Sequence, residues 1–219
     1  MNSSLNILGN QNSLFNQFIS EIRSSDVQID SLRFRRNLER IGEIFAYEIS
    51  KTLPYEEREI VTPLGIATIP TMVEYPVLAT ILRAGLPMHQ GMLNYFDRSE
   101  NAFITAFRKY EKDGTFEIEV DYLSSPTIDD KTLILADPML ATGQSMVLAY
   151  EEMLIKGDPR HTPLVSIIAS RQGLDYLQSH VSPTNTTIWI GAVDEELTAH
   201  SYIVPGLGDA GDLAYGIKE

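Results

Sequence analysis

The chain has 219 residues, 43% of them hydrophobic, no cysteine and a formal net charge of −13. That length holds one α/β domain with a sizeable core, so residues 1–219 are expected to form a single domain. The missing cysteine excludes disulfides and thiolate-bound metal, and the acidic balance argues against nucleic acid and anionic membranes as partners.

The first twenty residues carry no Lys or Arg, so no signal peptide is expected there. No apolar run is long enough to span a bilayer. Together with the missing cysteine, these features predict a cytoplasmic protein.

Residues 1–18 are rich in Asn and Ser and read as an N-terminal tail or arm. Asp30 to Leu53 reads as a long helix, with Ser31 able to cap it and Phe34, Leu38, Ile41, Phe45 and Ile49 at helical spacing. Arg33, Arg35, Arg36 and Arg40 cluster on it. A solvated face pairing with Glu39 and Glu43 is the favoured reading, and a subunit contact the alternative. Residues 58–71 alternate around Pro63-Leu64-Gly65 and predict a β-hairpin arm that could reach a second subunit.

The main sheet follows. Strands are expected at Tyr75–Leu82, Ala102–Phe107, Thr132–Ala136, Leu164–Ala169 and Thr186–Ile190, with a further extended segment at Phe116–Leu123. Helices are expected at Gly85–Phe96, Gln144–Lys156 and Gly173–His180. Strands separated by helices predict an α/β fold with a mostly parallel central sheet.

Three segments carry chemistry. The first is Asp137-Pro138-Met139-Leu140-Ala141-Thr142-Gly143-Gln144-Ser145, between a buried strand and a helix. Open N–H groups and the helix dipole favour an anion there, and Asp137 stands at the strand end, where open α/β sheets bind ligands. No Gly-Lys-Ser/Thr follows, so this is not a Walker loop. An ordinary turn with Thr142 as helix cap is equally compatible with these residues.

The second segment, Ile81 to Leu86, sets Arg83 between a strand and Gly85. Arginine can fork onto phosphate oxygens, and it can equally pair with a carboxylate at the sheet edge. Arg108 ends the next strand, and taken alone it reads as a surface charge.

The third segment is Tyr202 to Asp212, which is too glycine-rich for a helix. Its small residues would let backbone groups reach a planar ligand. A calcium loop is disfavoured, since no closing Glu follows at the required spacing. The four histidines have no metal-ligand spacing, Ser145 and Ser170 lack a hydrolase elbow, and Trp189 reads as core.

These three segments, with Arg33-Phe34-Arg35 and Tyr47-Glu48, resemble the type I phosphoribosyltransferases in the same order along the chain. Pro138 within Asp-Pro-Met-Leu-Ala-Thr-Gly and the C-terminal run resemble the uracil-specific branch. The resemblance implies transfer of a phosphoribosyl group from phosphoribosyl pyrophosphate to uracil N1, giving UMP and pyrophosphate in pyrimidine salvage.

Carried over residue by residue, Arg83 and Arg108 hold pyrophosphate and Asp137 holds the ribose hydroxyls. Residues Pro138 to Ser145 form the phosphoribosyl pyrophosphate loop, with Ala141 to Ser145 on the 5′-phosphate. Ile203, Gly208 and Ala210 meet uracil from a hood spanning residues 201–219. Asp209 lies between uracil and sugar and, with Arg83 and Arg108, is the expected catalytic set.

The same resemblance implies Mg²⁺ held mainly by pyrophosphate and water with no protein metal site, a homodimer or larger assembly, and GTP binding. Departures from the family pattern stand at His89, Gln90, Gln144, Leu213 and Ile217. A purine- or orotate-specific enzyme, a uridine-nucleotide- and RNA-binding regulator, and a pseudo-enzyme are the rival readings.

Overall fold

The computed structural model describes residues 4–110 and 116–217, without the side chains of residues 106–110 and 116–119. The first three residues of the expected arm and the last two of the expected hood therefore lie outside the described residues.

The elements are β1 (Ser4–Ile7), α1 (Leu14–Arg23), α2 (Ser31–Ser50), β2 (Tyr55–Thr62), β3 (Gly65–Met72), β4 (Val77–Leu82), α3 (Leu86–Tyr95), β5 (Asn101–Tyr110) and β6 (Phe116–Ser124). There follow β7 (Leu133–Ala136), β8 (Met139–Leu140), α4 (Gln144–Leu154), β9 (Thr162–Ser170), α5 (Arg171–His180), β10 (Thr186–Asp194), β11 (Glu196–Leu197), β12 (Ile203–Val204) and α6 (Ala210–Tyr215).

The central sheet runs β1-β10-β9-β7-β4-β5-β6, with β8 also paired to β9. Every pairing is parallel except β5 with β6. Both faces are covered, so the central strands are mostly apolar, and all nine residues of β9 are buried, Thr162, Ser166 and Ser170 among them.

Alternate residues feed two cores. Leu78, Ile134 and Ala136 join Phe15, Phe34, Phe45 and Met88 on the side of α1, α2 and α3. Val77, Ala79, Leu133 and Leu135 join Val147, Tyr150, Leu174 and Leu177 on the side of α4 and α5. The period-two split follows from the pleat. Trp189 is 6% exposed, as its apolar strand predicts.

The N-terminal segment departs from its expected form as a tail. Ser4–Ile7 pairs with β10 as a sheet edge, and Leu14–Arg23 is a helix whose Phe15, Ile19 and Ile22 are buried. Polar composition hid a helical apolar stripe that becomes stable only against α2. Ser13 caps it by accepting from the amide of Phe15 at 3.2 Å.

Two capping assignments also change. Asp30, and not Ser31, caps α2 by accepting from the Arg33 amide at 3.0 Å. The glycine-rich C-terminal run, expected to exclude a helix, ends in the short helix α6, capped by Asp209 through the Asp212 amide at 2.9 Å.

The arginine cluster on α2 divides. Arg33 reaches Glu21 of α1 at 2.7 Å, Arg36 pairs with Glu39 at 2.5 Å, and Arg35 donates to the Ala214 carbonyl at 2.6 Å. Only Arg36 behaves as the expected intra-helix surface pair. Glu43 takes Asn94 instead.

β2 and β3 form a separate two-stranded sheet with Val61, Leu64 and Ile66 exposed.

Phe15 packs edge-on to Phe45 with ring centroids 5.4 Å apart. Phe15→Ala should destabilise the fold by roughly 3–5 kcal/mol, seen as a lowered urea midpoint in equilibrium unfolding. Insensitivity to this change would mean that the segment behaves as a tail.

Candidate active site

Parallel pairing places the C-terminal ends of β4, β7, β9 and β10 on one edge of the sheet. Thr80 lies opposite Ala136, Ala136 opposite Val165, and Val193 opposite Ala169. The loops that leave β4 and β7, with the segment that follows β10, surround a cavity of about 660 Å³.

Arg83 and Ala84 enter it from β4. Asp137, Met139, Leu140, Ala141, Thr142, Gly143 and Ser145 enter from the loop after β7. Ile203, Gly208, Asp209 and Ala210 enter from the C-terminal segment. Asp137 and Asp209, 72 positions apart in sequence, thus share one cavity.

The loop after β7 is not a simple turn. It contains the short strand β8, which pairs with β9. A single hydroxyl then fixes it. Ser170 Oγ donates to the Ala141 carbonyl at 2.5 Å and accepts from the Gly173 amide at 2.8 Å. Gly143 stands at the N-cap of α4 with φ +81°, and a Cβ there would lie 2.6 Å from the Gly173 carbonyl oxygen.

Gly143 supplies no side-chain cap to α4, and Thr142 does not cap it either. The first-turn N–H groups, together with the helix dipole, favour an anion. Of the two readings of this loop, the structure thus sets aside Thr142 as a helix cap. The Gln144 side chain is exposed and lies outside the cavity lining, as does Pro138.

Asp137 sits against the sheet edge, and its backbone N–H donates to the Val165 carbonyl at 3.0 Å. Burial pushes its carboxyl up to about 7, and the Met139 amide opposes that rise by hydrogen-bonding the carboxylate. A carboxyl poised there suits hydroxyl groups or a cation brought by a ligand.

The Arg83 guanidinium is held from the C-terminal side. Its Nη2 donates to Asp212 Oδ1 at 2.9 Å and to the Gly216 carbonyl at 2.9 Å. Its Nε is buried with no protein partner. Arg108 lies within β5 opposite Ile118, and not at the strand end. Its side chain is outside the described residues.

Sequence reading missed several contributors. His200, one residue ahead of the expected hood, lines the cavity, where Ser201 and Tyr202 of the hood join it. Arg23, Asp194 and Ser170 sit behind the wall. Of these, only Ser170 carried a local signal, as a helix cap before the α5 pattern.

The family model for uracil phosphoribosyltransferase matches residues 9–217. A uracil phosphoribosyltransferase of Porphyromonas gingivalis is 57% identical over 96% of this chain and 97% of its own length. One from Methanothermobacter thermautotrophicus is 42% identical over 86% of each chain. A solved structure of an Aquifex aeolicus protein superposes with a TM-score of 0.86 at 30% identity, covering 97% of this chain and 98% of that one. A Staphylococcus aureus hypoxanthine phosphoribosyltransferase has a TM-score of 0.51 at 11% identity over 74% and 76% of the two chains, a likeness of fold alone.

Asp137 yields a test. Its carboxyl titrates at about 7 folded and at 3.8 in the reference state, so between these values the folded chain binds more protons and stability falls as pH rises. Asp137→Asn should raise the thermal midpoint at pH 8 by several degrees, and by less at pH 5. An equal gain at both pH values would exclude ionisation as the cause.

Proposed function

The chain belongs to the uracil phosphoribosyltransferase family, and from that premise we propose how its residues move a phosphoribosyl group from phosphoribosyl pyrophosphate to uracil N1. The products are UMP and pyrophosphate, and the enzyme is a pentosyltransferase of pyrimidine salvage. The observation that carries the assignment of roles is the meeting of Arg83, Asp137, the Ala141–Ser145 loop and the Asp209 segment around one cavity.

The first-turn N–H groups of α4, with Thr142 and Ser145, bind the 5′-phosphate. Asp137 holds the ribose hydroxyls. Its raised pKa falls back once it accepts their hydrogen bonds, because the charged form is then the solvated one. As the bond from the anomeric carbon to pyrophosphate breaks, positive charge grows on the sugar and negative charge on the leaving group. Arg83 meets the latter. Arg108 is assigned the same role.

Backbone groups of Ile203, Gly208 and Ala210 align uracil so that N1 faces the anomeric carbon, which converts a bimolecular encounter into an oriented one. Asp209 lies beside Arg83: a Cβ on Gly211 would sit 3.2 Å from Asp209 Oδ1 and 3.8 Å from Arg83 Nε. From there it orients base and sugar and takes the N1 proton.

Among the described residues no three His, Cys, Asp or Glu side chains gather into a metal cage. Two cavity carboxylates, Asp137 and Asp209, fit an ion that keeps its waters and rests mainly on substrate phosphates. Mg²⁺ bound in this way supplies charge neutralisation on pyrophosphate.

The exposed apolar residues of the β2–β3 hairpin support a homodimer or larger assembly. GTP binding is carried from the family alone. The net charge of −13 supports small-molecule substrates over nucleic acid. Among the described residues no helix is long and apolar enough to cross a membrane, and a chain without cysteine suits the cytoplasm.

Purified chain with uracil, phosphoribosyl pyrophosphate and Mg²⁺ should form UMP, read by product chromatography. Purine bases and orotate should give none. Asp209→Asn should lower kcat by roughly 10²-fold. Asn caps a helix as well as Asp, so the thermal midpoint should hold, and full activity would exclude Asp209 from the chemistry.

A further inference from the structure

We propose that Arg23 and Asp194 are positioning residues for the nucleobase: their ion pair clamps the turn at Gly206 and so fixes the segment that meets uracil. The proposal rests on reading Ile203, Gly208 and Ala210 as the uracil subsite.

Arg23 is the last residue of α1, and Asp194 the last of β10. The two make a bidentate pair, Nη1 to Oδ2 at 2.8 Å and Nη2 to Oδ1 at 2.9 Å. Asp194 is 8% exposed. Such a forked, shielded pair fixes geometry where an exposed pair does not.

Both groups also hold the peptide backbone of Gly206. Arg23 Nη1 donates to its carbonyl at 3.1 Å, and its amide donates to Asp194 Oδ2 at 2.9 Å. With its amide turned so that the nitrogen faces the next carbonyl, that of Leu207, the Gln28 side chain donates to it at 2.8 Å. Three successive peptides of the turn are therefore held from outside it, by Asp194, Arg23 and Gln28.

The turn has no slack of its own. Gly206 has φ +55°, and a Cβ there would lie 2.1 Å from the Ile203 carbonyl oxygen. The cavity wall is built by Ile203 on one side of this turn and by Gly208 to Gly211 on the other. Backbone groups read a base edge only when held within a fraction of an ångström, and a clamp outside the wall supplies that constraint. Neither clamp residue lines the cavity or touches the Ala141–Ser145 loop. A loosened clamp should therefore cost uracil recognition and spare the phosphoribosyl side.

Steady-state kinetics with each substrate varied in turn will test this. Arg23→Met should raise KM for uracil by about tenfold or more, the size expected when a charge-assisted hydrogen bond is lost, while KM for phosphoribosyl pyrophosphate stays within about twofold. Arg23→Lys should fall between wild type and Arg23→Met, because an ammonium keeps the charge and loses the fork.

Arg23→Met leaves Asp194 shielded and unpaired. If that variant does not fold, Gln28→Ala carries the test, with a several-fold rise in KM for uracil alone. A KM for uracil within twofold of wild type, equal rises for both substrates, or a Lys variant no better than Met overturns the proposal. Wild-type chain that fails to use uracil overturns the underlying site reading instead, so the two failures are distinct.

Discussion

Parallel pairing of β4, β7, β9 and β10 is the constraint on which the rest of the molecule depends. It fixes every strand to point the same way, so that each strand's exit loop opens on one edge. Asp137 leaves β7 beside Val165 of β9, and Arg83 leaves β4 three residues after Thr80, which pairs with Ala136. A ladder slipped by one residue would turn buried side chains such as Leu135 and Ala136 to opposite cores. The two hydrophobic cores thus set the register, and the register sets the site.

Electrostatics follow from scarcity. With 30 acidic and 17 basic side chains, the protein spends most described arginines on its own acids. Arg33 takes Glu21, Arg36 takes Glu39, Arg160 takes Glu74 and Asp130, and Arg171 takes Glu195. Exposed pairs of this kind contribute little to stability. Arg83 too is paired, to Asp212 through Nη2, while its Nε has no protein partner. The anion subsite needs backbone N–H groups because side-chain charge is in short supply.

The phosphate side and the base side are held by different means. Ser170 bridges the phosphate loop to α5 with one hydroxyl. The C-terminal turn is held by α1, an element from the opposite end of the chain. The N-terminal segment is therefore part of the catalytic half of the molecule, although it contributes no cavity residue among those described.

Much of this was legible in the amino-acid order. The apolar runs of β4, β7 and β9, the Asp137 loop and the glycine-rich terminus are local patterns, and local patterns survive in one dimension. The alternation of strands and helices determined a parallel sheet, because only crossovers can join parallel neighbours. What only the tertiary structure decided are the long-range choices. Leu5 and Ile7 became a sheet edge, Arg23 was drawn to Asp194, Asp209 became a helix cap, and Arg83 met Asp212. Except for the Asp209 cap, whose partner Asp212 is three residues on, none of these carries a local signal, because each partner lies more than a hundred residues away. Residue order could name the groups of the site, and packing alone could bring Asp137 and Asp209 to face one cavity.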